Sequence, residues 1–243
     1  MSWHLPPQPL RRRTLIPFAF GTLAALQLAT VLSPRLGASA AYPVKAMLVF
    51  GVAAVVAAGQ LASTHPFDRL GPANLVTTLR LLLLSLVAAL IGEGPTSTVA
   101  WGGALLAVVI TTLDGVDGWL ARRTRFASEF GARYDMETDA LLILVLAVLA
   151  WQLDKAGIWI VLAGAMRYLF VASGYLWPWM NGALPDSQRR KTVCVVQIVG
   201  LIFVVSPVAT APGSVAAAAI TLLTLTWSFG VDVRWLHQHR QEH

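Results

Sequence analysis

Apolar residues in this chain fall in long blocks. Charge-free runs cover residues 14–34 and 46–67, each able to cross about 30 Å of hydrocarbon, which takes roughly 17–25 helical residues. A third block, 75–91, carries Arg80 near its start and is closed by the turn-like Glu93, Gly94 and Pro95. The fourth, 98–113, runs on through Asp114, Asp117 and Arg122, so it is apolar first and charged last. Its successor reverses that order, with Asp135, Glu137 and Asp139 ahead of an apolar run over 140–153. Further blocks follow at 158–176, 192–205 and 215–231, the last two parted by a segment containing Pro207, Pro212 and Gly213. The pattern predicts an all-α, polytopic membrane protein of eight helices, two N-terminal and six following. Two charged helix ends, those around Asp114 and Asp139, should meet across a short loop.

Composition agrees with the pattern. Of 243 residues, 56% are apolar and 12% charged, against the roughly 45–50% and 25% of a soluble domain, and the mean hydropathy is +0.66. A water-soluble globule, a disordered chain and a disulfide scaffold are excluded, the last because Cys194 is the single cysteine. A net charge of +6 in a soluble protein would suggest nucleic acid. Here the cations sit in short clusters between apolar blocks, as orientation signals do, and no nucleic-acid partner is expected. With eight spans, Arg11, Arg12, Arg13, Arg69, Arg122, Arg123, Arg125, Arg189, Arg190, Lys191, Arg234 and Arg240 fall on one side and Arg35, Lys45 and Lys155 on the other. The positive-inside rule then predicts a multi-pass protein of the inner (cell) membrane with both termini and the charged helix ends cytoplasmic. Arg11 to Arg13, the apolar stretch behind them and Ala38-Ser39-Ala40 also resemble a signal peptide, but that stretch exceeds the roughly 7–15 residues usual there.

Six of the twelve acidic residues lie between Asp114 and Asp139. A carboxylate at mid-bilayer costs roughly 2.5–3.5 kcal/mol, so a cluster implies water, counter-ions or metal. On a helix, Asp114, Asp117, Gly118, Ala121 and Arg122 share one stripe, and Gly131, Asp135 and Asp139 share another. Consecutive helices joined by a short loop can face these stripes together and converge four carboxylates. Such a set would repel itself unless hard divalent cations intervene, and all-oxygen ligands suit two ions of Mg²⁺ or Mn²⁺. Gly118 and Ala121 leave room for a ligand, and Arg122 offers a fork for a phosphate oxygen. Metal, small residues and an arginine together are the apparatus of phosphoryl transfer.

The full register, Asp114-x2-Asp117-Gly118-x2-Ala121-Arg122-x8-Gly131-x3-Asp135-x3-Asp139, is similar at every fixed position to the signature of the CDP-alcohol phosphotransferase family, also called CDP-alcohol phosphatidyltransferases. The resemblance implies a six-helix core, here preceded by two additional transmembrane helices. Residues 1–70 would form that extension, 71–236 the core and 237–243 a cytoplasmic tail. It implies transfer of a phosphatidyl group from a CDP-alcohol such as CDP-diacylglycerol to an acceptor hydroxyl, with release of CMP, in phospholipid biosynthesis, and a homodimer in the bilayer. By position, Asp114 and Asp135 would bind both metals, Asp117 the first, and Asp139 the second while also serving as the catalytic base. Gly118, Ala121, Arg122 and Gly131 would line the nucleotide, and Ser128 would touch the CDP group. Pro72, Asn74, Thr77 and Arg80 resemble the family's Pro-Asn-x-x-Thr-x-x-Arg opening, interrupted by Ala73, which adds Asn74 and Thr77 as nucleotide contacts.

Acceptor choice stays open at this level. Arg167, Arg189, Arg190 and Lys191 form a basic group where relatives bind an acceptor phosphate, yet the usual Gly-Lys-x-Lys-Thr-x-x-Gln loop is matched only in part, with Ser187 and Gln188 standing where glycine and lysine are expected and Gln197 displaced. The stretch Asp135-Met136-Glu137-Thr138-Asp139 also departs from the Asp-Pro-Leu-Ala-Asp common in phosphatidylglycerophosphate synthases. Glycerol 3-phosphate, inositol phosphate and a hydroxylated lipid all remain. Two rival readings are a transporter or cation channel that uses intramembrane carboxylates, and an inactive family member serving as a membrane scaffold. Blander expectations attach to other residues: Arg80 snorkels to the headgroups or completes the family opening, Arg123 and Arg125 serve topology, and His4, His65, His237, His239 and His243 lie at the surface.

Overall fold

The computed structural model describes residues 8–124, 126 and 128–240. Eight long α-helices appear among them: α1 (Gln8–Leu36), α2 (Tyr42–Thr64), α3 (Gly71–Ala88), α4 (Ser97–Thr124), α5 (Glu129–Gln152), α6 (Val161–Leu176), α7 (Gln188–Val205) and α8 (Gly213–Gln238). Single 3-10 turns at Ile158–Ile160 and Pro178–Asn181 flank α6, and no strand occurs among the described residues. Prolines help set the starts. Pro43 and Pro72 occupy the first turns of α2 and α3, where a missing N–H costs nothing, so α2 begins before the charge-free run and takes in Lys45.

Among the described residues, six helices are long and apolar enough to cross a membrane, all but α5 and α7. Those two open on charged turns, which leaves apolar stretches of 140–152 and 192–205, below the roughly 17 residues of a full span. The outward faces carry many large apolar residues: Ile16 and Phe20 on α1, Val52 on α2 and Leu223 on α8 are each more than 60% exposed. Water would penalise such a surface and hydrocarbon would not. Buried positions, in turn, include Asn74, Thr77, Thr78, Arg80, Asp117 and Thr138. The chain is a multi-pass membrane protein with its polar groups turned inward.

The fold divides into two compact units after Asp139. In the first, α1 lies along α2, and α3 packs against α1, α2 and α4. At Gly21 a Cβ would fall 2.3 Å from the ring of the fully buried Phe50, so the lack of a side chain on α1 is what admits that ring from α2. The Tyr42 hydroxyl donates to Leu86 O at 3.0 Å and ties the start of α2 to the end of α3. Beside it, buried Glu93 accepts from Ser39 N at 2.7 Å and from Ser39 Oγ at 3.0 Å and forms an ion pair with Lys45, which also donates to Ile91 O at 2.9 Å. One carboxylate thus joins the α1–α2 turn to the α3–α4 turn. In the second unit, α8 packs against α6 and α7, and Lys155 donates to Ala209 O at 2.6 Å.

Burial pushes the Glu93 carboxyl up, but the Lys45 ammonium and the two Ser39 donors outweigh it and hold the group below the ordinary glutamate range. A carboxyl depressed on folding contributes stability above its unfolded pKa, about 4.3, and loses it as pH falls through the lower folded value. Glu93→Gln should therefore lower stability near neutral pH by about 1.5 kcal/mol, the low end for a charged hydrogen bond because Lys45 keeps Ile91 O. The gap between wild type and variant should close below pH 4.3, as read from melting temperatures in detergent across a pH series. A gap independent of pH would show that the carboxylate charge contributes nothing.

Candidate active site

Three helices place the site. Asn74, Thr77 and Arg80 lie along α3 from its first turn to its middle, Asp114 and Asp117 one turn apart near the end of α4, and Asp135 and Asp139 one turn apart in the first turns of α5. The α5 start is fixed by Ser128, whose Oγ accepts the Gly131 N–H at 3.0 Å, the usual N-cap bond to the third helical residue. Gly131 is small for a reason visible here: a Cβ would stand 2.8 Å from Asn74 Oδ1, on an amide whose Nδ2 is held by Leu70 O at 2.6 Å.

All four aspartates converge on one buried cation. Arg80, 0% exposed, has Nη1 at 2.9 Å from Asp114 and 2.7 Å from Asp117, pairs through the same nitrogen with Asp135, and pairs through Nη2 with Asp139. Asp117 also accepts from Thr77 Oγ1 at 3.1 Å, and that hydroxyl shares its hydrogen with Ala73 O at 3.2 Å. Around this centre, Tyr134 donates to Thr78 Oγ1 at 3.3 Å, and Thr78 donates to Asn74 O at 2.8 Å. Arg80 does not snorkel as one sequence reading had it. Its guanidinium turns into the helix bundle, because four carboxylates offer a charged fork more than the headgroup region does.

One guanidinium cannot neutralise four carboxylates, so the pocket favours further cations. One oxygen from each of Asp114, Asp135 and Asp139 lies within 4.8 Å of the other two. Opposite ligands of octahedral Mg²⁺ stand about 4 Å apart, and hard oxygen donors are what Mg²⁺ and Mn²⁺ take, so these residues fit a divalent cation. Asp117 is the most buried of the four and is engaged by both Arg80 and Thr77.

The other predicted positions divide. Gly118 and Ala121 are half-buried on the α4 stripe, and the Arg122 side chain lies outside the described residues. Asn74 and Thr77 are buried, with Asn74 Nδ2 on Leu70 O and Thr77 Oγ1 on Ala73 O and Asp117, while Ser128 is half-buried. In the second unit, Arg189 bonds Ser228 and Asp232, Arg190 reaches Asp232 at 3.3 Å, Arg167 is half-buried and Lys191 is exposed. His65 is a correction. Expected at the surface, it is 8% exposed, with Nδ1 at 3.0 Å from Ser128 Oγ and Nε2 at 2.9 Å from Arg69 O. Nothing in the local sequence marks it, apart from its place in the aromatic-rich link between α2 and α3.

A family model described as CDP-alcohol phosphatidyltransferase matches residues 71–231. The chain belongs to that family. A relative from Mycobacterium tuberculosis, in strains H37Rv and CDC 1551, is named "Probable phosphatidylglycerophosphate synthase" and is 34% identical over 183 residues, 72% of this chain and 84% of that one. A Bacillus subtilis (strain 168) protein named CDP-diacylglycerol–glycerol-3-phosphate 3-phosphatidyltransferase is 35% identical over 60 residues, 25% of this chain and 31% of that one. No solved structure matches significantly. The family-matched segment contains α3 to α7 and most of α8, including Arg80 and all four aspartates.

Removing one partner of a buried ion cluster costs about 3–5 kcal/mol. Arg80→Ala should accordingly lower the melting temperature in nanodiscs, and millimolar Mg²⁺ or Mn²⁺ should restore more stability to the variant than it adds to wild type. Equal shifts in the two proteins, measured against an EDTA control, would show that the carboxylates Arg80 holds are not those that receive the cation.

Proposed function

We propose that this protein transfers a phosphatidyl group from CDP-diacylglycerol to the primary hydroxyl of glycerol 3-phosphate. The observation carrying the proposal is the convergence of Asp114, Asp117, Asp135 and Asp139 on one point, in the family's register. The names of the relatives support the donor and acceptor. The all-oxygen cluster and family membership favour transfer chemistry over ion transport.

In this reading the acceptor oxygen attacks the β-phosphorus in line, the bond from that phosphorus to the bridging oxygen breaks, and CMP leaves with the bridging oxygen. Two divalent cations bound by the four aspartates would supply charge neutralisation at the phosphoryl oxygens. Asp139 takes the proton of the acceptor hydroxyl. Arg80 holds the Asp139 carboxylate through Nη2, so the base is aimed before substrate arrives. Gly118, Ala121 and Gly131 keep the walls low where the nucleotide enters, Arg122 receives pyrophosphate oxygen, and Ser128, Asn74 and Thr77 line the nucleotide side. Arg167, Arg189, Arg190 and Lys191 form the basic group for the acceptor phosphate. With α5 and α7 crossing alongside the six longer helices, the distribution of arginine and lysine between the two sides supports an inner-membrane protein whose termini and active site face the cytoplasm.

The purified protein with CDP-diacylglycerol and Mg²⁺ or Mn²⁺ is expected to release CMP when given glycerol 3-phosphate, and to release little with inositol phosphate or a hydroxylated lipid. Chelation should abolish release. Asp139→Asn should keep donor binding and lose about 10²–10⁴-fold in turnover, the usual contribution of a general base. Full activity of that variant would remove Asp139 from the role. Absence of CMP with every acceptor would end the proposal.

A further inference from the structure

His65 lies outside the family-matched segment, at the C-terminus of the second added helix, and yet its ring enters the core. Its backbone N–H closes α2 on Leu61 O, and its ring stands edge-on to Phe67 and Phe130, with centroids 5.5 and 5.4 Å away. Both ring nitrogens are engaged. Nε2 faces Arg69 O at 2.9 Å, and a carbonyl can only accept, so the neutral ring carries its hydrogen on Nε2. Nδ1 is then an acceptor, and the group at 3.0 Å from it is the Ser128 hydroxyl. Ser128 Oγ meanwhile accepts the Gly131 N–H at 3.0 Å.

These three bonds run in one direction. Ser128 gives its one hydrogen to His65, spends one lone pair on Gly131, and is left with one lone pair for anything that enters the site. We infer that His65 is a positioning residue for the nucleotide: it fixes the Ser128 hydroxyl as an acceptor. A hydroxyl in that state matches an amino group or sugar hydroxyl and not a phosphate oxygen, which needs a donor. The N-cap of α5 needs only the lone pair facing Gly131, so the His65 bond adds nothing to the cap itself. That separates orientation from folding. The inference rests on the reading of Ser128 as a nucleotide contact, and it gives the added helix pair a part in substrate binding.

Four variants of the full-length protein test it: His65→Asn, His65→Gln, Ser128→Ala and the pair His65→Gln with Ser128→Ala. Asparagine places its oxygen near the position of Nδ1, whereas glutamine reaches toward that of Nε2. KM for CDP-diacylglycerol and the calorimetric Kd for CDP should stay near wild type in His65→Asn and rise about tenfold in His65→Gln, with kcat little changed. The double variant should be no weaker than Ser128→Ala alone, as expected for two residues acting through one bond. Equal constants for the asparagine and glutamine variants, or effects that multiply in the double variant, would overturn the inference. If wild type binds CDP and releases no CMP, the transfer reading fails while the Kd series still decides the role of His65. Absence of CDP binding by wild type overturns both.

Discussion

The first unit is organised around a buried arginine that faces four carboxylates. Arg80 sits halfway along α3, and the acids come in pairs from α4 and α5. Each pair is spaced to project from one helix face, so a single guanidinium fixes the rotation of both helices against α3. Taking these charges out of water costs several kcal/mol per ion, and mutual attraction offsets that cost only when the geometry is good. The cluster therefore specifies one arrangement of three helices. It also leaves that arrangement short of positive charge, and a structural constraint becomes a group of acids able to hold a metal ion.

Much of this was legible in the sequence, because bilayer thickness writes itself into block length. Eight apolar blocks became eight helices, and the charged ends of α4 and α5 met as their stripes implied. The register from Asp114 to Asp139 carried the chemistry. Arg80 was harder to read. From the sequence alone, a cation near the start of an apolar block looks the same whether it reaches out to headgroups or turns inward, since its partners lie 34 to 59 positions away. His65 was harder still. It belongs to no periodic pattern, and its partner Ser128 lies 63 residues on. Long-range pairing of single polar residues is what hydrophobic period does not encode.

The added helix pair is tied to the rest of the first unit at two levels, one at the end of α3 and one at the N-cap of α5. At one, Tyr42, Ser39 and Lys45 meet Leu86, Ile91 and Glu93; at the other, the α2 terminus delivers His65 to Ser128. Between them, Phe50 of α2 lies against the bare backbone of α1 at Gly21. An ornamental extension would need only apolar contact with its neighbours. This one makes buried, directional hydrogen bonds at two levels, which fixes its axial position as well as its adhesion.

The second unit holds its cations differently. Arg189 and Arg190 both address Asp232, and Arg189 also grips Ser228, so the head of α7 is pinned to the end of α8. One carboxylate against two guanidiniums leaves an excess positive charge, and exposed Lys191 adds to it. The aspartate is what makes two neighbouring arginines tolerable on one helix turn, and the serine carbonyl and hydroxyl set the direction of the fork. Asp232 thus spends its charge on geometry while a surplus of positive charge remains at the head of α7. The first unit gathers acids on too little positive charge and the second gathers cations on too little negative charge.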